Sequence, residues 1–108
     1  MQTATRVQPG NTIVDVTGDI DMGTSPNLRR TLLESLKKTP RLVVNLSGVR
    51  YVDSSGIASL VEVLKAAQNT RKQLVLFGLN KAVREVLHLT RLSKVFDIRE
   101  TEEEALRA

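Results

Sequence analysis

Two periodicities alternate along this 108-residue chain. Val14 and Val16 face the opposite way from Asp15 and Thr17, the two-residue period of a strand with one buried face. Pro9-Gly10-Asn11 stands just before them, so a strand around residues 3–7 is expected to turn back as an N-terminal hairpin. The spacing then becomes helical at Leu28, Leu32 and Leu36, with Leu33 beside them. Ser25 as N-cap and Pro26 at the first helical position predict where that helix starts, and Thr39-Pro40 where it stops. Arg41–Leu46 and Gln73–Phe77 are nearly continuous apolar runs, the pattern of strands covered on both faces in a parallel sheet.

Between those runs, Ile57, Leu60, Val61 and Leu64 mark one face of a helix beginning near Ile57. Residues 47–52 read as a connector into its polar approach. Val83, Val86 and Leu87 repeat the helical pattern over Asn80–Leu89, and Val95–Ile98 predicts a last short strand. Thr101 opens a final helix as its cap, with Glu104 at the capping-box position and the acidic residues favouring the helix N-terminus. The predicted order is β-β-α-β-α-β-α-β-α. This is an α/β domain spanning 1–108, a mixed sheet with an N-terminal hairpin followed by strand–helix units.

Composition narrows the chemistry. Hydrophobic residues make up 41% and charged residues 26% of the chain, as in ordinary globular proteins. There is no cysteine and a single histidine, His88. Thiol catalysis, disulfides, zinc–thiolate and iron–sulfur sites are therefore excluded, and no cofactor or metal site is expected. No signal-like or membrane-spanning apolar run occurs, so a cytoplasmic location without membrane insertion is expected.

The net charge of +4 is uneven: Glu100, Glu102, Glu103 and Glu104 against Arg107 leave residues 1–99 at about +7. Lys and Arg are scattered singly or in pairs, and the three aromatic residues form no stacking motif. A solvated mixed-charge surface, with no direct nucleic-acid partner, is the expectation.

In open α/β sheets, function collects beyond the carboxyl ends of the strands. Two loops there are polar, Gly18–Ser25 and Asp53-Ser54-Ser55-Gly56. A nucleophile elbow would need a glycine two residues before Ser54 or Ser55, where Val52 and Asp53 stand. His88 falls on a helix surface beside Leu87 and Leu89, and no phosphate-binding P-loop is present. No catalytic residue is expected. The Asp-Ser-Ser-Gly segment suits a helix cap, yet a carboxylate and two hydroxyls exceed what a cap requires. A serine hydroxyl presented at a helix N-terminus is a plausible phosphoacceptor: phosphate adds about −1.5 to −2 charges at pH 7. Asp53, together with Asp21 from the other loop, would oppose that charge.

These segments resemble STAS-domain proteins, in particular the small stand-alone anti-sigma factor antagonists of bacteria. Gly18-Asp19-Ile20-Asp21 resembles the family's Gly-Glu-[Ile/Leu]-Asp strand end, with Asp19 carrying the charge on a shorter stem. Tyr51-Val52-Asp53-Ser54-Ser55-Gly56-Ile57 is similar to its Asp-Ser-Ser/Thr-Gly-[Leu/Ile] switch, and Leu76-Phe77-Gly78-Leu79 and Val95-Phe96 match its later strands. The resemblance implies a four- to five-stranded mixed sheet, about four helices and no enzymatic activity.

It further implies that an anti-sigma factor serine kinase phosphorylates Ser54. The unphosphorylated form would bind that kinase and release the sigma factor, and a PP2C-type phosphatase would restore binding. Asp21, Asp53, Ser54, Ser55 and Gly56 would form the partner surface. A rival reading from the same family is an accessory subunit of an ABC-type phospholipid or organic-solvent-tolerance transporter, bound to its permease or ATPase.

Overall fold

In the computed structural model, which describes residues 1–108, the expected hairpin opens the sheet. Strands β1 (Gln2–Gln8) and β2 (Asn11–Ile20) pair antiparallel through a two-residue turn, with Gly10 at φ 78°. That left-handed conformation is open to glycine without a Cβ penalty. Three parallel strands follow, β3 (Arg41–Val52), β4 (Gln73–Phe77) and β5 (Asp97–Arg99), and the five lie in chain order across the sheet.

The crossovers are α1 (Ser25–Leu36), α2 (Ser54–Asn69) and α3 (Lys81–Leu89). Because strand order is consecutive, crossovers of one hand put all three helices on the same face. Val14, Val16, Leu42, Val44 and Leu46 meet Leu28, Leu32, Leu60, Val63 and Leu87 there in one core. The alternate residues Ile13, Val43, Val75 and Phe77 point to the other face, where α4 (Glu102–Leu106) covers them through Ala105. Coverage on both faces explains the continuous apolar runs of β3 and β4.

Four boundaries differ from the sequence reading, one of them the start of α2, which lies at Ser54 and not near Ile57. The segment 47–52 is strand, not connector: β3 continues to Val52 beside β2, with register shifts opposite Asp15/Thr17 and Gly18/Asp19. Each shift inserts one extra residue on β3. Its buried positions after Leu46 are therefore Val49 and Val52, three apart, which breaks the two-residue period. Next, the last strand starts at Asp97. The N–H groups of Val95 and Phe96 are taken by Leu92 O in a turn, so they are lost to the ladder. Finally, Ser25 is the first residue of α1, preceded by Thr24 as N-cap and followed by Pro26 at the second position.

At α4, Thr101 caps as expected, its Oγ1 accepting from Glu104 N–H at 3.2 Å. Glu104 reaches back to the N–H of Glu100 (3.1 Å), one residue beyond the usual capping-box partner, the N–H of the cap itself.

Candidate functional site

The paired ends of β2 and β3 bring together two loops some thirty residues apart in sequence. The ladder runs to Ile20 opposite Val52, and the Asp53 N–H donates to Ile20 O at 3.1 Å. This bond fixes Asp53 at the junction, and helix α2 begins with the next residue, three earlier than Ile57. Asp53 is the N-cap. Its Oδ1 accepts from the N–H groups of Ser55 (2.9 Å) and Gly56 (3.1 Å), the second and third residues of the helix. Ser55 Oγ donates to the same oxygen at 2.5 Å. That hydroxyl, followed by the backbone N–H groups of Gly56, Ser55 and Met22, holds the Asp53 carboxyl below the usual aspartate range, against a smaller opposing effect of burial.

Gly56 is buried under this cap. A Cβ there would lie 2.6 Å from Ile20 Cγ2 and 2.9 Å from Val52 Cγ1, both on fully packed side chains, so the position admits only glycine without movement. Ser54 differs from its neighbours. As the first residue of α2 it is exposed, and the bonds of Asp53 go past it to Ser55 and Gly56.

Asp21 is half-buried in the neighbouring loop and is occupied there. Its Oδ1 accepts from Gly23 N–H (2.9 Å), Thr24 N–H (3.1 Å) and Thr24 Oγ1 (3.2 Å), while its carbonyl accepts from Thr24 and Ser25 N–H. Of the five residues singled out in the sequence, Asp53, Ser55 and Gly56 thus form one bonded cluster. Ser54 stands at its rim, and Asp21 shapes the adjoining loop.

The sequence reading missed the residue that joins the loops. Ser25, buried at 4% exposure, donates its hydroxyl to Ser55 Oγ at 3.2 Å and accepts from Ser59 Oγ at its carbonyl (3.4 Å). Its sequence context predicts only a cap of its own helix, and nothing local signals a partner thirty residues away. Met22 and Tyr51 were also missed as surface. They are 77% and 53% exposed, one beside Asp21 and the other two residues before Asp53. A methionine inside a polar loop was the available signal.

Comparison with known proteins agrees with this fold. The STAS domain model matches residues 2–105. The anti-sigma-B factor antagonist of Listeria monocytogenes serovar 1/2a is 32% identical over 90 residues, covering 82% of this chain and 79% of that protein. An anti-sigma factor antagonist from Mycobacterium paratuberculosis superposes with a TM-score of 0.82 at 29% identity, covering 98% of this chain and 91% of its own. The Bacillus cell fate determinant SpoIIAA in its phosphorylated form shares the fold, with a TM-score of 0.74 at 16% identity over 98% of this chain and 97% of that one.

Proposed function

This chain belongs to the STAS-domain family, and from that premise we propose that it is an anti-sigma factor antagonist whose binding is switched by phosphorylation of Ser54. The observation that carries the switch is the division of labour at α2. Asp53, Ser55 and Gly56 complete the cap, so the Ser54 hydroxyl is exposed and free of structural duty.

In the unphosphorylated state, the loops around Asp21 and Asp53 present a contact face with two exposed apolar side chains, Met22 and Tyr51. The partner is an anti-sigma factor that is itself an ATP-dependent serine kinase. It transfers the γ-phosphoryl group of ATP to Ser54 Oγ, ADP leaves, and the hydroxyl proton is lost. The added charge of about −1.5 to −2 sits beside Asp53 and Asp21. The free N–H at the start of α2 and the helix dipole favour it. The cap holds without Ser54, so the helix keeps its start while the contact face turns strongly negative, and a partner fitted to the neutral face is repelled. A PP2C-type phosphatase hydrolyses the ester and restores the face. A phosphorylated form is known for the SpoIIAA relative of the same fold, which supports the reading.

The test is labelling and capture. With extract of the source cell and ATP, mass spectrometry is expected to find phosphate at Ser54, absent in Ser54→Ala and retained in Ser55→Ala. The unphosphorylated chain is expected to capture an ATP-binding serine kinase, and Ser54→Asp at least about tenfold less of it, since 1.4 kcal/mol is one decade. Capture of a permease or its ATPase, with no label at Ser54, would instead establish the transporter-subunit reading.

A further inference from the structure

At the end of the sheet opposite Ser54, the topology gathers charges that lie far apart in sequence. In a parallel sheet, every turn from a helix into the next strand falls at the strands' amino ends. The turn after α1 holds Lys37 and Lys38, the turn after α2 holds Arg71 and Lys72, and the turn after α3 holds Arg91 and Lys94. None of these turns contains an aspartate or glutamate, and none of the six cations is in an ion pair. The seven ion pairs of the chain use arginines elsewhere. Lys72 alone is tied down, donating to the last carbonyl of α1, Leu36 O, at 2.6 Å. Glu34, one turn back on α1, lines a groove with Lys38 and is the nearest acidic residue along that helix.

The same end carries three of the five large apolar side chains left exposed on this protein: Val7 (79%), Leu89 (76%) and Val95 (50%). Val7 lines the groove with Lys38, since β1 returns to this end opposite Thr12. Between α1 and α2, Lys37 and Lys72 flank a cleft of about 210 Å³ lined by Leu33, Leu36 and Ala66. Leu89 and Val95 bracket Arg91 and Lys94 in the chain.

Positive residues at helix C-termini complement the helix dipole, which accounts for one such residue per helix. It does not account for two cations in each of three turns, or for solvent-facing apolar side chains among them. Basic residues interspersed with exposed aliphatic ones match the two-part chemistry of an anionic bilayer, whose headgroups attract cations and whose acyl boundary accepts apolar groups. Nucleic acid would meet the charge alone, without aromatic residues to stack on its bases.

We propose that the amino end of the sheet is a peripheral docking surface for an anionic lipid bilayer. Docked this way, the protein holds the Asp21 and Asp53 loops away from the bilayer, open to protein partners. The surface is independent of the Ser54 switch.

Co-sedimentation of the full chain with vesicles tests it. Vesicles of phosphatidylcholine with phosphatidylglycerol are expected to bind the protein, and phosphatidylcholine alone is not. Binding should be released near 1 M salt, where the screening length falls to ~3 Å. Each cation near an anionic leaflet strengthens attachment about fivefold, so Lys37→Gln/Lys38→Gln is expected to weaken binding about 25-fold. Leu89→Ser/Val95→Ser should weaken it about tenfold or more while leaving binding to short duplex DNA or polyglutamate unchanged. All four positions are exposed, so thermal melting is expected to match the parent. Ser54→Asp should bind vesicles as the parent does.

Equal binding to neutral vesicles, none to either, or full binding by the lysine variant would overturn the proposal. So would an apolar variant that binds like the parent, since the surface would then be a site for polyanions in general. Ser54→Asp losing vesicle binding would overturn the claim that the two ends act separately.

Discussion

At the start of α1 the first helical residue is a serine, Ser25, and at the start of α2 it is again a serine, Ser54. Both follow a strand of the same parallel pair, and both lie next to an aspartate-anchored turn. Yet Ser25 is buried and donates to Ser55, whereas Ser54 is exposed. The junctions explain the difference. Four residues, Asp21–Thr24, separate β2 from α1, and they satisfy one another through Asp21, leaving the first turn of α1 to pack inward against α2. One residue, Asp53, separates β3 from α2, and it must serve both the strand end and the helix cap. A serine at a helix start is therefore no signal of accessibility by itself. The length of the junction decides which hydroxyl is presented.

The largest effect that tests this comparison is on the glycines. Gly56→Val forces side-chain carbons into Ile20 and Val52, and is expected to cost about 2–3 kcal/mol and lower the thermal midpoint by roughly 10–20 °C. Gly23→Ala, in the α1 junction, meets nothing nearer than Asp21 Oδ1 at 3.4 Å and should change stability by less than about 0.5 kcal/mol. Equal losses would mean that the two junctions are equally tight.

Removing the anchors comes next. Asp53→Ala takes both capping bonds from a 16-residue helix and is expected to lower the midpoint by about 5 °C or more, with Asp53→Asn recovering most of it. Hydrogen exchange at the Ser55 and Gly56 amides should accelerate in the alanine variant.

Acid should reach the same cap. The carboxyls of Asp53 and of Asp15, the latter held down first by Arg6 and also by Asn45, lie below the ordinary aspartate value of about 3.9. The unfolded chain therefore takes up these protons first. The stabilisation is complete above the ordinary value and is lost as pH falls through the lowered folded ones. The midpoint is expected to be flat, as far as these two groups decide it, from neutral pH to about 5 and to fall below 4. The fall should be shallower in Asp53→Asn.

The smallest contrast is the most direct. Ser25→Ala should cost about 1 kcal/mol through the lost bond to Ser55, and Ser54→Ala should stay within about 0.5 kcal/mol in a urea melt. A Ser54→Ala loss as large as that of Ser25→Ala would give Ser54 a structural role and weaken its reading as a free acceptor.

Much of this was legible in the chain. The hairpin, the apolar runs of β3 and β4 and the amphipathic faces of three helices all follow from local periodicity, because burial on one face or two leaves a regular imprint. The Asp-Ser-Ser-Gly segment was visible as both cap and hydroxyl source. The departures occur where local rules were overridden by neighbours. Two bulges hid the second half of β3 behind a three-residue spacing. A turn on Leu92 took Val95 and Phe96 out of the last strand.

By itself, then, the sequence determined the elements, their order and the residue types at the two loops, since these depend on side-chain polarity and turn chemistry within a few residues. The tertiary structure alone decided which serine faces solvent, that Ser25 bonds to Ser55 across two loops, and that three basic pairs scattered over nearly sixty residues share one end of the molecule. Those outcomes are set by junction length, by strand register and by the common direction of parallel strands. All three are relations between segments, which no local stretch of sequence contains.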